Sequence, residues 1–118
     1  MTVKECYDAI GANYEEIMGR LRTEERVKKF LLKVLSDKSY DLLIQSIEER
    51  NMEEAFRAAH TMKGVSQNLS LTRFYHSSNE LAELLRDRHD YGADIEPVLE
   101  KVKEDYAQMI EQIRKLEG

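Results

Sequence analysis

The chain has 118 residues, with 18 Lys or Arg, 23 Asp or Glu and a net charge of −5, and both signs are mixed along every segment. This length allows one domain, which we predict over residues 1–118, and the charge leaves no basic stripe for a nucleic-acid backbone. No apolar run is long enough to cross a membrane and the first residues lack the apolar segment of a secretory signal, so we expect a cytoplasmic protein. The one cysteine, Cys6, cannot form an internal disulfide, which fits a reducing compartment.

The first third of the chain predicts short helices. Thr2, Asn13 and Asn51 each stand three residues before a Glu, the pattern of a helix N-cap, and Gly11 indicates a helix end. An amphipathic stripe lies between the second and third of these starts, and the polar turn at residues 36–39 interrupts it. The stripe consists of Val27, Phe30, Leu31, Val34 and Leu35.

Four longer amphipathic segments follow. The first ends near residue 50, and the second begins after Asn51, ends near Leu69 and leads into a turn at residues 70–72 that supplies the next helix cap. The longest loop covers residues 87–93, and Pro97 fits the first turn of the last helix. We therefore predict an all-α protein, an antiparallel up-down four-helix bundle with short N-terminal covering helices. The inward positions of the four segments are Tyr40, Leu43, Ile44 and Ile47; Ala55, Phe56, Ala59, Met62, Ser66 and Leu69; Leu71, Phe74, Ser78, Leu81 and Leu85; and Leu99, Val102, Tyr106, Met109, Ile113 and Leu116.

His60 is the residue that this pattern turns outward. It lies more than 90° from the centre of the inward stripe of its helix, so the core does not need it. Lys63, Gly64 and Gln67 follow three, four and seven positions later on the same outer face. A glycine inside an exposed helix costs about 1 kcal/mol relative to alanine, so Gly64 suggests that a second molecule comes close to the imidazole.

These residues resemble the histidine-containing phosphotransfer domains of two-component phosphorelays, whose signature is His-x-x-Lys-Gly on the outer face of a four-helix bundle. The chain departs from the family at Ser70, where many members have glycine, and at Ala82, where many carry a Glu or Gln that faces the site. Gln67 or Arg86 could supply the contact that Ala82 lacks. Residues that follow the family pattern around the signature are Ala59, Met62, Ser66, Leu69, Phe74 and Leu81.

The resemblance implies that His60 is phosphorylated by a receiver-domain aspartyl phosphate and passes the group to another receiver domain. An imidazole exposed to water is mostly unprotonated at neutral pH and can act as the nucleophile. Lys63 would stabilise the phosphoryl oxygens, Gly64 would give the partner access, and Gln67 would donate a hydrogen bond. The docking face would surround His60 and include Arg57. Apolar contacts would come from the covering helices, with Ile10, Tyr14, Ile17 and Met18 as candidates.

The expected partners are response-regulator receiver domains and a hybrid sensor histidine kinase, and we expect a monomer. The chain has no Walker or Gly-x-Gly-x-x-Gly motif, so we expect a phosphoryl carrier without ATP-dependent kinase activity. We predict no cofactor and no metal site, since the resemblance assigns the Mg²⁺ to the partner receiver domain.

Two alternatives belong to other classes of protein. The last helix could self-associate through its heptad in a non-catalytic helical adaptor. A helical metal or di-iron protein is disfavoured because His60, His76 and His89 lack the carboxylate spacing of such sites.

Overall fold

The computed structural model describes residues 1–117, and this part of the chain forms helices and turns without a β-strand. The all-α prediction is therefore confirmed. None of the helices in the described residues is long and apolar enough to span a membrane. The helices are α1 (Val3–Ala9), α2 (Tyr14–Leu21), α3 (Glu24–Lys33) with a 3-10 turn at Val34–Ser36, α4 (Ser39–Glu48), α5 (Met52–Asn68), α6 (Thr72–Leu85) and α7 (Ile95–Arg114).

The helix starts predicted at Thr2, Asn13 and Asn51 are confirmed by their hydrogen bonds. The Thr2 side chain accepts from the backbone N–H of Glu5 in a reciprocal capping box. The side chains of Asn13 and Asn51 likewise accept from the backbone N–H three residues later. Each cap satisfies a donor that the first turn of a helix leaves unpaired, which is why these boundaries are readable from local sequence.

The segment between Asn13 and the polar turn at residues 36–39 contains a break that the sequence pattern did not reveal. Arg22 has φ +74° and ends α2, and Thr23 then caps α3 by accepting from the backbone N–H of Arg26. The residue three after Thr23 is Arg rather than Glu, so the capping-box pattern is absent. Phe30, predicted on the inward stripe, is 40% exposed, and that assignment was wrong.

The main bundle consists of α4 to α7, with each helix packed against the next along the chain. The first and last of these helices are also in contact, because Tyr40 on α4 stacks on Tyr106 on α7. The two ring centroids are 3.8 Å apart, with 2° between the ring planes. Side chains from all seven helices join one buried core. The antiparallel up-down order of the four helices stays a prediction.

The N-terminal helices hold the end of α5. The buried Tyr7 hydroxyl donates to the Leu69 carbonyl at 2.7 Å, and the Arg20 guanidinium donates to the Gln67 carbonyl at 2.9 Å. These are carbonyls of the last turn of α5, which have no partner within the helix. The covering helices therefore hold the last turn of α5, the turn that carries Gln67.

The turn between α5 and α6 uses Ser70 differently from the prediction. Ser70 is buried with φ +56°, a left-handed conformation that favours glycine, and its hydroxyl donates to Glu16 Oε1 at 2.6 Å. Leu71 is the N-cap residue of α6 and no side chain caps this helix. The predicted capping role of residues 70–72 was wrong, because Ser70 instead ties the turn to α2.

Candidate functional site

His60 lies at the midpoint of α5 with its side chain exposed. The buried face of α5 explains this orientation, since Ala55, Ala59, Met62 and Ser66 point into the core. Neither ring nitrogen of His60 has a hydrogen-bond partner among residues 1–117. The imidazole is therefore free to act as a nucleophile and to contact a second protein.

Lys63 and Gly64 flank the imidazole one turn further along α5. Lys63 is half-buried and forms no ion pair within the described residues. A Cβ atom built on Gly64 would meet no heavy atom within 4 Å, and its φ is not in the left-handed region. The packing and backbone of this chain therefore do not require glycine at position 64.

Gln67 is exposed near the end of α5, two turns from His60. Its backbone carbonyl is held by Arg20, and it lines a polar cleft of about 330 Å³ between α2 and the α5–α6 turn. Gln67 thus shares the outer face of α5 with His60, while the cleft that it lines is formed by residues of α2 and of α6.

Phe56 lies next to His60, and Glu83 of α6 and Arg86, which directly follows α6, lie beyond Phe56. The Phe56 ring stacks on the imidazole with centroids 5.7 Å apart and 29° between planes. Arg86 places its guanidinium carbon 5.1 Å from the Phe56 centroid, and Glu83 binds that guanidinium with Nη2–Oε1 2.9 Å and Nε–Oε2 3.3 Å. Phe56 was predicted on the inward stripe and is half-buried at its edge, because it leans toward α6.

Glu83 is an anion within electrostatic reach of the site. Hydrogen bonds from Arg86 hold the pKa of the Glu83 carboxyl below its usual range, and the positive charges of Arg86 and Lys63 lower this pKa further. The carboxyl group is therefore ionised at neutral pH. Sequence reasoning had no signal for this residue, because it lies on a different helix and outside the signature.

Ala82 occupies the α6 position where many family members carry a Glu or Gln. Its side chain is fully buried in the core. Because alanine has no polar group, residue 82 cannot make the contact expected of a Glu or Gln at this position.

The covering helices contribute an apolar groove on the other flank of α5. Ile10 and Ile17, two of the candidate docking residues, are buried at 5% and 0% exposure, so their assignment to a docking face was wrong. Tyr14 and Met18 are half-buried against the core. The groove has a volume of about 340 Å³ and is lined by Leu21, Phe30, Lys33, Val34, Asp37, Val65, Asn68 and Leu69.

The other two histidines lie outside α5. His76 is exposed on α6 and lines the same cleft as Gln67, and His89 Nδ1 in the following loop is 3.6 Å from Glu53 Oε1. Within residues 1–117, no three His, Cys, Asp or Glu side chains come together in a group that could hold a metal ion.

Comparison with known proteins identifies the family. Residues 31–115, from late α3 to just beyond α7, match the Hpt domain. Curated proteins and solved structures gave no significant match. Hpt domains carry out phosphotransfer in two-component signalling, as phosphoryl carriers that interact with receiver domains and histidine kinases. The match covers well over half of the chain, which therefore belongs to the Hpt domain family.

Proposed function

We propose that His60 accepts a phosphoryl group from the aspartyl phosphate of one receiver domain and delivers it to the aspartate of another. The observation that carries this proposal is the exposed imidazole at the midpoint of α5, with unpaired Lys63 and uncovered Gly64 one turn away. A phosphoryl carrier needs an accessible nucleophile, a nearby cation and room for a second protein, and these three residues supply them.

The transfer requires no group beyond the two proteins and the partner's metal ion. The lone pair of an imidazole nitrogen attacks phosphorus in line with the aspartyl oxygen, so that the N–P bond forms as the P–O bond breaks and the carboxylate leaves. The remaining ring N–H then releases its proton to water. Delivery to the second receiver reverses these steps, and Lys63 balances charge on the phosphoryl oxygens in both directions.

We propose that the Mg²⁺ is held by the receiver domain and that this chain uses no cofactor or metal of its own. In this proposal the protein is a single-domain monomer in the cytoplasm that does not phosphorylate itself from ATP. Family membership supports a carrier of this kind, since Hpt domains receive the group from other proteins.

The receiver would dock over His60 and Gly64, with Arg57 and Gln67 on the polar rim. The groove beside Val65 and Leu69 would take an apolar element of the receiver, because it combines the exposed Phe30 with the half-buried side chains of Leu21 and Val65. Gly64 directly precedes Val65, which lines this groove on the adjacent side of the same helix.

The adaptor alternative depends on the apolar heptad of α7, and the packing of that helix disfavours it. Leu99, Val102, Met109 and Ile113 are all at most 4% exposed inside the domain. These side chains cannot form a seam with a second chain unless the bundle opens. Sedimentation of the intact protein tests this point, and a concentration-dependent dimer would revive the adaptor.

A two-step relay experiment tests the proposed function. The protein is mixed with a phosphorylated receiver domain and Mg²⁺, separated from the donor, and then mixed with a second, unphosphorylated receiver domain. We expect the label to pass to this protein and then to the second receiver, and we expect His60→Gln to stop the first step. Label that reaches the second receiver equally well through His60→Gln would refute the proposal.

A further inference from the structure

Glu83 near the end of α6 and Arg86, the residue that follows this helix, form a bidentate pair. Both side chains are about half exposed. Arg86 Nε and Nη2 each donate to a different oxygen of the Glu83 carboxylate, at 3.3 and 2.9 Å. Arg86 also lies over the ring of Phe56, which stacks on His60. The guanidinium is therefore connected to the imidazole through one aromatic ring, while its hydrogen bonds go to the carboxylate.

The pair contrasts with Lys63, which has no anionic partner within the described residues. Within the described residues, Lys63 is thus a cation near His60 without an acidic partner, whereas Arg86 is already neutralised by Glu83, and Arg57 is paired with Glu54. A phosphoryl group on His60 adds about two negative charges at this place. It would repel the Glu83 carboxylate and compete with it for Arg86.

We propose that Glu83 is a positioning residue that holds Arg86 while His60 is unphosphorylated and yields it to the phosphoryl group once His60 is phosphorylated. The proposal rests on His60 being the phosphoryl acceptor. Arg86 then joins Lys63 as a second cation on the phosphoryl oxygens, with no bond made or broken in the exchange of partners. Because Glu83 competes throughout, it lowers the equilibrium amount of phosphohistidine and favours delivery to the receiver.

An ordinary surface ion pair is the competing explanation. Pairs of this spacing on a helix contribute little to stability, and many have no measurable role. Glu80 provides the matched control, since it lies one turn earlier on α6 and pairs with Lys101 on α7 at 3.7 Å. Removing the charge of Glu80 or Glu83 changes the net charge equally, whereas only Glu83 is bound to the guanidinium beside Phe56.

The test compares Glu83→Gln with Glu80→Gln in two reactions. The first is equilibration with a phosphorylated receiver domain and Mg²⁺, and the second is direct phosphorylation by phosphoramidate, a small donor that needs no docking. We expect Glu83→Gln to raise the ratio of phosphorylated to free His60 about threefold in both reactions, as expected for the loss of one negative charge near a partly solvated dianion. Glu80→Gln should leave this ratio within experimental error of the wild-type value.

A second readout follows the guanidinium itself. The Arg86 Nε–Hε signal, assigned by its absence in Arg86→Gln, should shift when the wild-type protein is phosphorylated and should stay unchanged when His60→Gln is treated in the same way. Equal ratios for Glu83→Gln and Glu80→Gln, or an Arg86 signal that does not respond, would overturn the role of Glu83 alone. Equal labelling of wild type and His60→Gln, or no labelling of either, would overturn the proposed function and this inference together.

Discussion

Gly64 is the residue whose presence the chain's own structure least explains. It lies inside α5 with no atom within 4 Å of a Cβ built on it, and its backbone does not need the conformational freedom of glycine. A glycine in a helix interior costs stability relative to alanine because it loses more backbone entropy on folding. We infer that glycine is present at position 64, despite this loss of stability, because it lets a partner come close to His60.

Replacing this glycine separates stability from transfer. Gly64→Ala should raise the free energy of unfolding by about 0.5 to 1 kcal/mol and slow phosphoryl transfer from a receiver about tenfold, because a methyl group then stands where the partner passes. Gly19→Ala is the control, since Gly19 is also helical with open space around it, on the side of α2 away from Leu21 and the groove. Urea denaturation measures the free energy of unfolding, and transfer reactions quenched at successive times measure the rate of phosphoryl transfer. A Gly64→Ala protein that is more stable and transfers at the wild-type rate would remove the argument for partner access.

Among the helices and turns, the connection between α5 and α6 shows how the covering helices support the site. Ser70 adopts a left-handed φ of +56°, and its hydroxyl donates to Glu16 of α2. The Asn13 backbone N–H donates to the Ser70 carbonyl at 2.9 Å. The Cβ atom of Ser70 therefore strains the turn and lowers stability, whereas the hydrogen bonds to Glu16 and Asn13 raise it.

Two substitutions at this position separate these effects. Ser70→Ala keeps the Cβ atom and loses the hydrogen bond to Glu16, so we expect it to lower the free energy of unfolding by about 1 kcal/mol. Ser70→Gly loses the same hydrogen bond and relieves the left-handed strain, so it should be about 1 kcal/mol more stable than Ser70→Ala. Chemical denaturation of both proteins measures the difference. An alanine variant as stable as the glycine variant would show that the backbone at residue 70 is not strained.

Helix boundaries were predictable where one short pattern decides them. Asn13 and Asn51 cap their helices by hydrogen bonds to the residue three positions later, so each cap can be recognised from four consecutive residues. The break at Arg22 and Thr23 was missed because Arg26 replaces the usual acidic residue. Ser70 was misread because its partner, Glu16, lies 54 residues earlier in the chain.

The same limit applies to the candidate site. His60, Lys63 and Gly64 stand within five residues on one helix, so their shared face follows from helical spacing alone. Glu83 and the orientation of Phe56 depend on how α5 packs against α6, which no local pattern specifies. Sequence reasoning thus found the side chains of the signature and missed the acid that faces them.

For the whole molecule, the buried Cys6 thiol links stability to pH. Cys6 is fully buried in the common core, and desolvation raises the pKa of its thiol to about 11 from an ordinary value of 9.0. Between these pH values the unfolded chain has lost the thiol proton while the folded chain retains it. The unfolded state then binds fewer protons, so the free energy of unfolding falls as the pH rises.

The size of this effect is measurable against a variant without the thiol. The difference in the free energy of unfolding between wild type and Cys6→Ala should shrink by about 2 kcal/mol between pH 9 and 11, because only the wild type has the titrating group. Urea denaturation under reducing conditions at several pH values gives this difference. Lysines and tyrosines titrate in both proteins, so their contribution cancels when the variant is subtracted from the wild type. A difference that stays constant over this range would show that Cys6 is accessible to water in the folded state.

The location of the phosphoryl group after incubation with a phosphorylated receiver domain and Mg²⁺ decides whether His60 is the acceptor. We predict one acid-labile, alkali-stable phosphate per chain, seen by ³¹P NMR as phosphohistidine and mapped by mass spectrometry to the peptide that contains His60. His60→Gln should carry no phosphate under the same conditions, while His76→Gln and His89→Gln should be labelled like the wild type. Phosphate on another residue, or equal labelling of His60→Gln, would contradict the account.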